Sequence, residues 1–84
     1  MADKPIGAVA HYFDHIEVAV VKLEKGSLSV GDKIKIQTKS GDFIQEVTSM
    51  QIEHKAIDKA GIGDEFGLKV DQPVEKGDKV FLQK

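Results

Sequence analysis

Apolar side chains recur at every second position along most of this chain, and no other feature restricts its fold as much. Ile34 and Ile36 alternate with Lys33, Lys35 and Gln37, and Met50 and Ile52 alternate with Gln51 and Glu53. Phe66, Leu68 and Val70 alternate with Gly67 and Lys69, and Val80 and Leu82 keep the rule although Phe81 interrupts their polar face. Successive side chains of a strand point to opposite sides, so this period marks strands with one buried face. Helical spacing is sustained nowhere; the best candidate is residues 56–60, a turn or two stopped by Gly61. The pattern predicts strands over residues 6–13, 16–24, 33–38, 43–53, 65–71 and 79–83.

Two of these runs change phase. Ile16, Val18 and Val20 share one face while Val21 and Leu23 fall on the other, and Val47 is out of step with Met50 and Ile52. A β-bulge in each run accounts for the change, because one extra residue swaps the faces and bends the strand. A strand buried on both sides is the other way to read Val20 and Val21. Bent strands suit a small closed barrel, so the fold expected from the pattern is all-β and closed.

The 84 residues make one domain, 1–84, with residues 1–4 expected to form a flexible tail. There is no cysteine, which excludes a disulfide framework and a cysteine zinc site. Small secreted domains often need such staples, so the expected compartment is the cytoplasm. Residues 1–4 lead into no apolar run, so no signal peptide is expected, and no stretch approaches the roughly 20 apolar residues of a membrane span. All 12 basic residues are lysines, against 14 acids. Arginine carries the planar fork that reads phosphates and guanine edges, so a tight sequence-specific nucleic-acid reader is disfavoured. Salt-sensitive lysine contacts to a phosphate backbone remain open.

Glycine and aspartate punctuate the strands. Gly26 with Ser27 makes a tight connection, and Lys39-Ser40-Gly41-Asp42 makes a hairpin loop. One unit recurs three times: Val30-Gly31-Asp32-Lys33-Ile34-Lys35-Ile36, Ile62-Gly63-Asp64-Glu65-Phe66-Gly67-Leu68 and Lys76-Gly77-Asp78-Lys79-Val80-Phe81-Leu82. Each sets a Gly-Asp turn before an alternating strand. Glycine supplies positive φ and aspartate bonds nearby backbone N–H groups, so Gly31, Asp32, Gly63, Asp64, Gly77 and Asp78 read as structural turns at three corners.

The run from Val21 through Lys25-Gly26 and Gly31-Asp32 to Ile36, then Val47 to Ile52, then Ala60-Gly61-Ile62-Gly63-Asp64 to Leu68, and finally Gly77-Asp78-Lys79-Val80, resembles the second domain of translational GTPases such as elongation factor Tu. The chain is also similar to the C-terminal barrel of collagenase-like bacterial peptidases. The first resemblance implies a six-stranded, closed antiparallel barrel of the translation-factor second-domain type, and a translation-associated binding unit that docks on ribosomal or transfer RNA, or on a translation protein. It does not bring the GTPase with it, because no G-x-x-x-x-G-K-[ST] phosphate loop is present. The alternative is a protein- or peptide-binding accessory barrel unrelated to translation. Both readings are non-catalytic, without cofactor, metal or membrane, and a monomer is expected.

The candidate contacts follow from charge and aromatic content. Between residues 33 and 59 five lysines, Lys33, Lys35, Lys39, Lys55 and Lys59, face four acids, the only net-basic stretch. They are candidate phosphate contacts, against the plainer role of edge lysines that block aggregation. Tyr12 and Phe13 could stack on a base or anchor a peptide, and Phe81 joins them as an apolar contact in the peptide-binding reading. His11, His15 and His54 could be imagined around a metal, but rim histidines are the commoner case. Gly61-x-Gly63-x-x-x-Gly67 nearly spells a dinucleotide fingerprint, yet no helix follows to hold a pyrophosphate, so it reads as a turn.

Overall fold

The computed structural model describes residues 4–83. Ten strands follow one another: β1 (Gly7–Phe13), β2 (Val18–Leu23), β3 (Leu28–Ser29), β4 (Lys33–Thr38), β5 (Gly41–Glu46), β6 (Met50–Ile52), β7 (Lys55–Ile57), β8 (Lys59–Ala60), β9 (Glu65–Lys69) and β10 (Lys79–Gln83). The expected tail, residues 1–4, lies outside the described residues except for Lys4, which is exposed. Alternation does what the sequence implies in β4, where Ile34 and Ile36 are fully buried while Lys33 and Gln37 are exposed.

The all-β expectation holds, but the closed six-stranded barrel does not. Eight strands form one antiparallel sheet in the order β5-β4-β10-β1-β2-β9-β6-β7, and β3 pairs with β8 apart from it. The sheet curls round a single core that includes Val9, Val21, Leu23, Leu28, Ile34, Ile36, Val47, Met50, Phe66, Leu68 and Val80. Its edges, β5 and β7, do not pair with each other. Near the β5 edge a side chain stands in for a ladder. Gln45 is buried, its amide nitrogen donates to the Lys69 carbonyl at 2.9 Å, and its amide oxygen accepts from the Asp71 N–H at 2.8 Å. One amide thereby satisfies two backbone groups that have no strand opposite them.

The phase changes resolve differently from the expectation. Strand β2 has no bulge: Ala19, Val21 and Leu23 face the core in unbroken alternation, and Val18 and Val20 face outward. The irregularity lies in its partner β1, between Val9 and His11, where the pairing shifts by one residue. Gly7 and Val9 pair with Leu23 and Val21, and beyond the shift Tyr12 pairs with Ala19. Tyr12 therefore turns toward the core, and His11 and Phe13 turn outward. The run expected over 43–53 is broken by residues 47–49 into β5 and β6. The helical candidate at 56–60 is strand, in β7 and β8.

The three Gly-Asp units share one geometry. Gly31, Gly63 and Gly77 have φ of 100°, 89° and 95°, which only glycine adopts freely at the third position of such a turn. In each, the aspartate carboxylate accepts the backbone N–H three residues earlier: Ser29 to Asp32 at 2.9 Å, Gly61 to Asp64 at 2.9 Å and Glu75 to Asp78 at 2.8 Å. The glycine N–H then donates to one core residue whose own N–H donates to the aspartate carbonyl. Those core residues are Val47, Leu23 and Val9, respectively. One local solution thus locks three corners to three core strands or loops.

Candidate protein-binding face

The shift in β1 creates an unusual outer surface. Paired neighbours lie side by side on the same face of a sheet, so the row His11, Val20, Gly67, Gln51, Ala56 runs outward across β1, β2, β9, β6 and β7. The chain is 31% charged, yet this row carries no acid or lysine. Phe13 and Val18 flank it. The His11 and Phe13 rings meet edge to face, with centroids 4.4 Å apart and planes at 64°.

Gly67 leaves a dent in the row. A Cβ added there would lie 3.1 Å from Val18 Cγ1. The resulting hollow of about 180 Å³ is lined by Phe13, Ile16, Val18, Val20, Gln51, His54 and Gly67. Phe13 is 46% exposed and Ile16 58%, so two large apolar groups stand in water at its rim.

Two tight turns flank the hollow. Among the described residues only Glu17, Glu53 and His54 are non-glycine residues with positive φ, at 55°, 51° and 67°. Left-handed backbone costs an ordinary residue roughly 1–2 kcal/mol. Glu53 and His54 are the two central residues of the β6–β7 hairpin, positions that such turns usually give to Asn-Gly. Glu17 ends the loop that presents Ile16. That loop is tied down: the Lys69 ammonium donates to the Ile16 carbonyl at 3.1 Å, and the Val70 N–H donates to the Glu17 carbonyl at 3.0 Å. Lys69 also lies 3.7 Å from the Glu17 carboxylate, so the cation beside the hollow is engaged.

The other candidate residues are scattered by comparison. Lys33 and Lys35 lie on β4, near one end of the sheet order, and Lys55 lies on β7 at the other. Lys59 belongs to the separate β3–β8 pair. Lys35 sits over the Phe81 ring at 5.2 Å, and Phe81 is only 9% exposed. Lys39, on the β4–β5 turn, approaches Glu75 at 3.8 Å. Gly26 takes φ of 65° in an exposed turn, where Glu24 and Lys25 donate to the Ile6 carbonyl. Tyr12 is half-buried, and its hydroxyl pKa is pushed up by burial, then by Glu17 and Asp14. Among the described residues no three His, Asp or Glu side chains gather round one metal position. Sequence reasoning named Phe13 but missed Ile16, Val20 and Gly67, because Ile16 and Val20 read as core and Gly67 as the polar half of a strand.

No protein-family model matches the chain. It is 38% identical over 80 residues to an uncharacterized protease of Methanocaldococcus jannaschii, covering 94% of this chain and 19% of the protease. It is 31% identical over 77 residues to a collagenase of Porphyromonas gingivalis, covering 90% of this chain and 21% of the collagenase. The chain thus spans about a fifth of the length of the curated relatives it matches. The crystal structure of the C-terminal domain of a Geobacillus thermoleovorans protein classed with the U32 peptidases superposes with a TM-score of 0.87 at 18% identity, covering 98% of this chain and 93% of that domain. These matches overturn the translation-associated, RNA-docking expectation. The Gly-Asp corners that carried the elongation-factor resemblance are backbone solutions, and they report a fold rather than a partner. This chain is similar to the C-terminal unit of collagenase-like U32 peptidases.

Proposed function

We propose that this chain is a non-catalytic accessory unit of the peptidase-associated kind, acting by holding protein or peptide at the hollow on the outer face of β2, β9 and β6. The carrying observation is the near-complete overlap with a peptidase C-terminal domain, at both ends of the comparison. The 38% identity to a protease five times its length supports the same reading. Much of the polar chemistry is also committed elsewhere: Asp32, Asp64 and Asp78 hold turns, and Gln45 holds the seam. The hollow at Gly67 is lined without an acid or lysine, and the exposed Phe13 and Ile16 at its rim offer an apolar anchor point to a partner.

The test is a domain exchange. The matching fifth of the Porphyromonas gingivalis collagenase is replaced by this chain, or deleted, and gelatin cleavage is followed. We expect the chimera to keep most of the cleavage rate and the deletion to lose it, while the isolated chain cleaves nothing. Cleavage by the isolated chain, or a chimera no better than the deletion, would sink the proposal.

A further inference from the structure

The hollow above Gly67 has the size and lining of a socket for one side chain. Resting on the accessory reading, we infer that it takes a single aliphatic or aromatic side chain from a peptide segment laid across the outer face of β2, β9 and β6. Three observations converge on that occupant.

The first is charge. Among the hollow's lining residues the only polar side chains are Gln51 and His54. A lysine or carboxylate placed against Val18, Val20 and Phe13 would lose hydration and find no opposite charge in the lining, since the Lys69 ammonium is held by the Ile16 carbonyl and Glu17. An apolar side chain meets no such cost, and Gln51 and His54 can still bond the backbone that carries it.

The second is size. The hollow holds about 180 Å³, room for one large side chain and too little for two. A stable docking face buries about 800 Å² per partner. Phe13 and Ile16 are the large apolar side chains that the lining leaves more than a third exposed, and a large aromatic buries only ~150–250 Å². A second copy of the chain, or a whole peptidase body, would need more apolar surface than this patch offers. A short segment anchored by one residue does not.

The third is rigidity. Every non-glycine residue with left-handed backbone among those described belongs to the two turns that wall the hollow. Backbone strain persists where the surrounding structure over-determines it, and such strain clusters at ligand clamps. Ile16 is exposed but its loop is pinned by Lys69 and Val70, so the rim is set before any occupant arrives. A rim already ordered saves the entropy of arranging it on binding.

The experiment is an amide-resolved NMR titration of the whole chain with four blocked hexapeptides, Gly-Ser-X-Ser-Gly-Ser, where X is Leu, Phe, Lys or Glu. The Leu and Phe peptides should shift the amides of Val18, Val20, Gly67 and His54, with affinities at least tenfold tighter than those of the Lys and Glu peptides. Ile16→Asp puts a charge on an exposed loop outside the core and should abolish that difference. Gly67→Val fills the hollow and should do the same; if it fails to fold, Ile16→Asp still decides. Equal shifts from all four peptides, shifts elsewhere on the surface, or none at millimolar concentration would overturn the socket. If the peptides fail while the collagenase chimera stays active, the socket falls and the accessory reading stands. If they bind selectively while the chimera is inactive, the socket stands without the peptidase association.

Discussion

At the scale of single residues, two side chains carry consequences that can be measured. Gln45 sits where the curled sheet lacks a ladder, with both amide atoms bound to backbone. Replacing it with alanine leaves the Lys69 carbonyl and the Asp71 N–H without partners. A buried group left unsatisfied costs roughly 1–3 kcal/mol, so Gln45→Ala should lower stability by about 2–3 kcal/mol in urea denaturation, whereas Gln51→Ala, on the exposed face, should be nearly neutral. Tyr12 gives a pH signature. Its folded pKa lies above the ordinary phenol value, because burial and then Glu17 and Asp14 disfavour the phenolate. The folded state then holds the proton more tightly than the unfolded state. That stabilisation is complete below the unfolded value of about 10 and is lost as pH rises through the folded one. Stability should therefore fall above about pH 10, and Tyr12→Phe should flatten that fall.

At the scale of elements, the three Gly-Asp corners offer an internal comparison. Each aspartate makes the same bond to the N–H three residues back, but their surroundings differ: Asp78 is buried, whereas Asp32 and Asp64 are half-buried. Capping bonds of this type are worth ~0.5–2 kcal/mol. Alanine at Asp32 or Asp64 should cost about 1 kcal/mol, and alanine at Asp78 more, because water cannot easily replace the lost acceptor on Glu75 N–H. Equal melting temperatures for the three variants would contradict this ranking. These corners were legible in the sequence because Gly-Asp before an alternating run has a local cause. The β1 irregularity was not. Val20 and Val21 drew attention to β2, while the extra residue was Ala10 of β1, whose neighbours look regular. The bulge changes faces in β1 alone, and the apparent phase change in β2 arises because Val18 and Val20 are apolar side chains on its outer face.

At the scale of the molecule, the open curl sets where the fold should loosen first. The sheet ends at β5 and β7, while β1 and β2 lie at its centre between β10 and β9. Amide exchange should be fastest in β5 and β7 and slowest in β1, β2 and β9, where the ladder continues on both sides and Ala19, Val21, Phe66 and Leu68 are buried. Uniform protection across all strands would indicate a fully closed barrel in solution.

The sequence by itself determined the all-β class, the longer strands, most inward residues and the three corners, because each depends on neighbours within a few positions. Period two selects strands, and glycine followed by aspartate selects the turn. Tertiary structure decided the rest. Whether the sheet closes depends on how many strands share the curl and on one glutamine reaching a distant backbone, and residue spacing does not encode that reach. The candidate face is decided the same way. Val18, Val20 and Gly67 meet through the pairing of β2 with β9, and the shifted pairing of β1 with β2 adds His11 and Phe13 to the same side, with Ile16 on the loop between those two strands. Apolar residues read one strand at a time were assigned to the core; packing placed several of them in water.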